Sequence, residues 1–169
     1  LSGNSVKSGF QRHQAGFALG GPIVKDQTFF FVNLEHTTDC KDNFLSVGDL
    51  NVNETIQGQN QLTYLSGRLD HRWNDQWRST VRLNANRVRI DRQGGGLTGG
   101  IQFASAGNTQ RRDGVHAAVQ TTYADEGLVY EGNVQYSWFN WDYANPTNPN
   151  TQQVTVQDPS GTSIAILGH

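Results

Sequence analysis

Apolar and polar side chains alternate with a period of two through six stretches of the chain, and the stretches come in pairs. In the third, Leu65, Gly67, Leu69, His71 and Trp73 fall on one side, while Tyr64, Ser66, Arg68, Asp70 and Arg72 fall on the other. The fourth repeats the pattern, with Trp77, Val81, Leu83 and Ala85 set against Arg78, Thr80, Arg82, Asn84 and Asn86. Successive side chains of an extended strand point to opposite faces, so this period predicts strands with one apolar face. Only Asn74-Asp75-Gln76 separates the two, which predicts a hairpin.

The last pair behaves alike. Val115, Ala117, Val119 and Tyr123 run up to Ala124-Asp125-Glu126-Gly127, after which Leu128, Tyr130, Val134, Tyr136 and Trp138 alternate with Glu131, Asn133, Gln135 and Ser137. The first pair is less regular: Phe17, Leu19 and Ile23 lead through Lys25-Asp26 into Thr28-Phe29-Phe30-Phe31-Val32, with Phe30, Val32 and Leu34 expected on one face and Asn33 and Glu35 on the other. Thr37 to Gln59 and Asp91 to Arg112 are rich in Gly, Asn, Asp, Gln and Thr and have no helical pattern, so they read as long loops.

The predicted fold is all-β, an antiparallel meander of about six strands in three hairpins. Tight turns at one end and long connections at the other are what a transmembrane β-barrel has on its two sides. A soluble sandwich offers the same alternation but needs a dry interlocked core behind its apolar face. Small residues among the apolar positions, Gly67, Ala85, Ala117 and Gly132, favour the barrel, because lipid fills what a protein core would leave empty. The aromatics add to this. Trp73 and Trp77 flank one turn, Tyr123 and Tyr130 another, and Tyr136, Trp138, Trp141 and Tyr143 gather toward the far end of the last strand. Trp and Tyr concentrate at membrane–water interfaces, where the ring is apolar and its polar tip stays wet.

Composition narrows the choices without deciding among them. Only 35% of the 169 residues are hydrophobic, and 19 are glycine. A barrel wall tolerates this, since half of each strand faces water. A net charge of −2 leaves no basic surface for nucleic acid. Cys40 is the single cysteine, so neither an internal disulfide nor a thiolate zinc site is expected. No stretch approaches the ~18 apolar residues of a spanning helix, and Leu1 to Phe10 have neither the basic start nor the apolar run of a signal peptide.

The run from Gln11 to Glu35, containing Gln14-Ala15-Gly16-Phe17, Leu19-Gly20-Gly21-Pro22-Ile23, Lys25-Asp26-Gln27-Thr28-Phe29-Phe30-Phe31 and Leu34-Glu35, resembles the start of the barrel in Oar-like TonB-dependent receptors. These often carry an N-terminal carboxypeptidase-regulatory-like domain. Ser66-Gly67-Arg68-Leu69-Asp70-His71-Arg72 and Asn133-Val134-Gln135-Tyr136-Ser137 are similar to the same family in pattern. Gln27 stands where the family usually has Lys, and His13 and Ala15 depart from its opening stretch.

The resemblance implies a plug domain, not within this chain, inside a barrel of about 22 strands. It also implies an outer-membrane location in a Gram-negative-type bacterium, and ligand import energised through TonB. Residues 1–14 are then expected as a linker from the plug, 15–145 as a partial barrel, and 146–169 as an outer loop leading to a further strand. The ligand is not legible.

Local motifs add no chemistry. Gly94-Gly95-Gly96-Leu97-Thr98-Gly99 matches the dinucleotide pattern, but Ile101 to Gly107 predicts no helix to hold a pyrophosphate. His13, His36, His71, His116 and His169 lack ligand spacing, as do Asp39, Asp42 and Asp49 for calcium. Ser46, Ser66 and Ser105 sit on no nucleophile elbow. No enzymatic activity and no cofactor are expected.

Two groups of residues remain. Arg68, Asp70, Arg72, Arg78, Arg82, Asn84, Glu131 and Gln135 are expected to face the lumen, against the plug. Trp73, Trp77, Tyr123, Tyr130, Trp138 and Trp141 are expected at the membrane interfaces. The expected partners are outer-membrane lipid, the protein's own plug, TonB through the full-length protein, and an unidentified ligand, with no nucleic acid. A soluble or surface sandwich that binds a ligand and a plug-less porin or adhesin barrel are the alternatives.

Overall fold

A computed structural model describes residues 9–92, 100–144 and 149–168. Six strands, β1 (Phe10–Val24), β2 (Thr28–Val47), β3 (Val52–Arg72), β4 (Trp77–Arg92), β5 (Asn108–Asp125) and β6 (Leu128–Ala144), form one antiparallel sheet in chain order. A separate hairpin joins β7 (Val154–Gln157) and β8 (Ser163–Leu167). The all-β meander expected from the alternation is therefore the architecture of the molecule. No helix of the described residues is long and apolar enough to cross a membrane, which says nothing against crossing by strands.

The turns at one end are set by local chemistry. Asn74 Oδ1 accepts hydrogen bonds from the backbone N–H groups of Gln76 (3.0 Å) and Trp77 (2.8 Å), closing the β3–β4 turn as an Asx turn. Asp26, at φ 61°, takes the left-handed conformation that the β1–β2 turn requires, one of the few residues with a short polar side chain that does so at low cost. Pro22, which has no N–H for a ladder, sits on the outermost strand where the β1–β2 register shifts.

At the opposite end the first expected long loop, Thr37 to Gln59, is mostly strand, and the second, Asp91 to Arg112, is strand at both its ends. β2 and β3 stay paired from Thr28↔His71 to Val47↔Val52, leaving only residues 48–51 as a tip, with Asn51 left-handed at φ 52°. Likewise β4 runs to Arg92 and β5 starts at Asn108. The Gly-rich run 93–99 lies outside the described residues. The physical reason is that a backbone ladder does not need a lipid-facing stripe to continue. Where the face that met lipid is wet, Thr, Asn and Gln suffice on it while the apolar residues move to the other face, and a composition typical of loops conceals a strand. β1 begins at Phe10, within residues 1–14, and the segment 146–169, expected as an outer loop, contains β7 and β8.

The ladders are regular enough to fix which side chains share a face. One row runs across all six strands through Phe17, Leu34, Leu65, Ala85, Val115 and Trp138. The next row on the same face, one pair of residues further from the turns, is Ala15, His36, Thr63, Arg87, Asp113 and Asn140. On the turn side of this boundary the face is apolar; beyond it the same face is polar, with Gln57, Gln59, Gln61, Arg89, Arg111 and Asp142. The opposite face does the reverse. It holds Arg68, Asp70, Arg82 and Asn84 on the turn side, then Leu62, Val88, Ile90, Ile56, Leu45 and Val47 beyond.

This inversion places the only compact core of the described residues at the far end. Leu45 and Val47 are 1% exposed and pack with Ala165, flanked by Val52, Ile56, Ile101 and Phe103. β1 pairs with β2 only as far as Phe10↔Lys41, so the upper edge of β2 is open. Gly100 occupies it through Gly100 N–H to Phe44 O (2.9 Å) and Ser46 N–H to Gly100 O (3.0 Å). Phe103 and Ile101 in turn exchange backbone bonds of 3.0 Å with Ile166 of β8. A small mixed sheet thus wraps the apolar side of the β2–β3 ribbon.

Candidate functional site

The lower sheet has two faces and no second layer among the described residues. Its apolar face is Phe17, Leu19, Phe30, Val32, Leu65, Leu69, Val81, Leu83, Val119, Val134, Tyr136 and Trp138, and most of it is open, Val134 to 74%. In a soluble sandwich these positions would form the dry core. Here they make a continuous apolar patch far beyond what a water-soluble monomer ordinarily exposes. On β4 the band runs from Trp77 to Ala85, about 27 Å along a strand at ~3.4 Å per residue. With a strand tilt of about 40° that corresponds to a height of about 20 Å, close to the apolar band of an outer-membrane barrel.

The aromatics mark the turn edge of this band. Trp77, Tyr123 and Tyr130 follow one another across β4, β5 and β6 in a single row, and Trp77 meets Tyr123 edge to face at 6.4 Å between ring centroids. Trp73 lies beside them in the β3–β4 turn, 4.4 Å from the His71 ring. Both indoles keep their polar edge satisfied: Trp77 Nε1 donates to Thr121 Oγ1 (2.6 Å) and Trp73 Nε1 to Ser79 Oγ (3.0 Å). Trp138 stands in the last apolar row at the other edge. Trp141 does not join it. By register it belongs with Phe139 and Tyr143 on the opposite face, where the Arg112 guanidinium lies 5.0 Å over its ring.

All eight residues expected to face the lumen share the other face. Arg68 and Arg82 are direct cross-strand partners, as are Arg72 and Arg78, with Asp70 opposite Thr80 between them. Arg68 binds Asp70 through both Nε (2.8 Å) and Nη2 (2.9 Å), and Thr80 Oγ1 donates to the same carboxylate at 2.7 Å. Arg72 reaches Asp75 in the turn. Asn84 faces His116, Glu131 faces Thr122 and Gln135 faces Ala118. A groove of about 300 Å³ runs between Arg68, Asp70, Arg78, Thr80, Arg82 and Glu131.

Phe29, Phe31 and Tyr64 also stand on this polar face, half exposed, Phe31 across from Arg68 and Phe29 across from Asp70. A run of three consecutive Phe makes this legible in the sequence, because an alternating strand cannot put Phe29 and Phe31 on the same side as Phe30. Among the described residues no three His, Cys, Asp or Glu side chains converge as metal ligands would.

Residues 2–47, spanning β1 and β2, match a family model described as an outer membrane beta barrel domain. Comparisons with curated proteins and with solved structures return no match. The match joins the exposed apolar band, the polar opposite face and the six-stranded meander in supporting a wall segment of an outer-membrane β-barrel and an outer-membrane location.

Proposed function

We propose that this wall belongs to a TonB-dependent transporter that takes up a ligand from outside the cell. The observation that carries the reading is the inversion of amphipathicity at one cross-strand row. Below that row the outer side of the wall meets lipid and the inner side a polar lumen. Above it the outer side meets water and the inner side a folded outer cap built by residues 100–107 and β7–β8. The resemblance of Gln11–Glu35 to Oar-like receptors supports the transporter class over other barrels. In this reading Phe29, Phe31 and Tyr64 meet a plug domain inside the lumen, and the edges of β1 and β6 pair with further strands. No catalytic role and no cofactor are assigned.

The test uses the full-length protein. Formaldehyde treatment of intact cells is expected to link it to TonB, and the purified protein in planar bilayers is expected to stay closed. A steady open conductance with no TonB cross-link would replace this reading with a plug-less porin.

A further inference from the structure

The polar face carries an electrostatic imbalance that the wall itself does not resolve. Like charges directly opposite one another across an antiparallel pair are unfavourable, yet β3 and β4 oppose Arg to Arg twice within five residues, at Arg68↔Arg82 and Arg72↔Arg78. Carboxylates answer only half of this. Asp70 is bound by Arg68 and Asp75 by Arg72, and Arg82 feels the Asp70 carboxylate only as a nearby charge; among the described residues the guanidinium groups of Arg78 and Arg82 form no hydrogen bond and no close ion pair. Glu131 faces Thr122, which itself pairs with Arg78, and forms no ion pair with either arginine. These two guanidinium groups line the same groove of about 300 Å³ as Arg68, the Asp70 and Glu131 carboxylates, the hydroxyls of Thr80 and Thr122 and the amide of Gln120, so three cations face two carboxylates there.

We infer that Arg78 and Arg82 form a binding site for an oxyanion, a carboxylate or phosphate group held in the groove between β3, β4 and β5. Guanidinium presents paired N–H donors in a plane that matches the two oxygens of such a group. The Thr122 hydroxyl and the Gln120 amide on the groove walls supply further donors, the Thr80 hydroxyl being spent on Asp70. Arg68, already neutralised by Asp70, lines the groove, and Arg72, neutralised by Asp75, stands across from Arg78. The site lies on the lumen side of the wall, and for that position alone it rests on the barrel reading.

The sign of a charge-removing change separates this inference from a wall that merely tolerates repulsion. The full-length protein, folded in detergent, would be melted in inorganic phosphate and in chloride at equal ionic strength. The variants are R78Q/R82Q and R78K/R82K. If the oxyanion exchanges with solvent, phosphate raises the melting temperature of the wild type, R78Q/R82Q loses that rise, and R78K/R82K keeps at least part of it. If the oxyanion is a carboxylate of the protein itself, phosphate has no effect, R78Q/R82Q melts lower in both salts, and R78K/R82K recovers. Both outcomes support an oxyanion partner and tell its two sources apart. An R78Q/R82Q protein that melts at or above the wild type in both salts would overturn the inference, because relief of repulsion would then be the whole effect. So would a loss that lysine does not restore. Heat-modifiable migration of the wild type in the same samples reports separately on the barrel.

Discussion

Leu83→Arg and Asn84→Arg place the same side chain one residue apart on β4 and should have different consequences. Leu83 stands on the apolar face between Gly67 and Ala117, one row inside the last apolar row, while Asn84 stands on the polar face between Ser66 and His116. Arginine on the lipid face of a barrel costs about 2–4 kcal/mol at the midplane and about 0–1 near an interface. The band on β4 runs from Trp77 to Ala85, so its middle is Val81 and Leu83 lies halfway to the edge. The expected costs are then about 3–4 kcal/mol for Val81→Arg, about 2 for Leu83→Arg and about 1 or less for Ala85→Arg. A cost of 2 kcal/mol is a shift of roughly 30-fold in the folding equilibrium. Asn84→Arg, in water on either reading, should cost under about 0.5 kcal/mol, as surface changes do. Guanidinium titration of the full-length protein in lipid vesicles, followed by Trp fluorescence, measures all four. Equal costs at Leu83 and Asn84, or a flat series from Val81 to Ala85, would refute the assignment of faces.

Three further outcomes follow from the geometry. Cysteine at Asp49, in the β2–β3 tip, should react with an impermeant thiol reagent on intact cells and cysteine at Asn74 should not; the converse labelling would invert the topology. Leu45→Ala removes the most buried large side chain of the outer cap, a truncation that costs about 2–5 kcal/mol in a packed core. It should speed hydrogen exchange across residues 154–167 and leave residues 79–85 unchanged, whereas uniform loosening would mean that the cap is not a separate unit. The Asp158 carboxylate is held below the ordinary carboxylate range by the Ser160 hydroxyl (2.6 Å) and by the backbone N–H groups of Thr162 (2.9 Å) and Ser160 (2.8 Å). A depressed folded pKa means the turn's stabilisation is full above the unfolded carboxylate pKa and fades as pH falls through the folded one. Hydrogen exchange at Gly161 and Thr162 should therefore accelerate on acidification in the wild type and be fast at all pH in Asp158→Asn; a pH-independent wild-type profile would contradict the assignment.

The lower half of the wall was legible because lipid imposes a strict demand on every second residue. Leu65, Leu69, Val81, Leu83, Val119 and Val134 answer it with an alternation that neighbouring Arg68, Arg82 and Gln135 sharpen. The upper half was hidden by the same logic turned around. In Thr37–Gln59 the apolar residues Leu45, Val47, Val52 and Ile56 fall on the other parity, separated by Asn, Gln and Thr that face water. A search for a continuing lipid stripe meets only a polar stretch there. Trp141 is close to Trp138 in sequence, yet three residues apart on a strand means opposite faces. The cap that joins Gly100, Phe103 and Ile166 depends on contacts between distant segments, and nothing local in the sequence announces it. The eight polar residues are legible as one group because a single face carries them. Their Arg-to-Arg register needed the turn length, and hence the structure.

The most direct test of the wall is a spin-label accessibility scan of β4, one cysteine at a time from Trp77 to Ile90, in the full-length protein in lipid. From residue 77 to residue 85, odd positions should be open to oxygen dissolved in lipid and even positions to a polar nickel reagent. From Arg87 onward the odd positions should become the ones the polar reagent reaches, the phase of the oscillation reversing at the row of Thr63, Arg87 and Asp113. An oscillation that keeps one phase from 77 to 90, or the absence of any oxygen-accessible position, would contradict the account of a wall that leaves the membrane at that row.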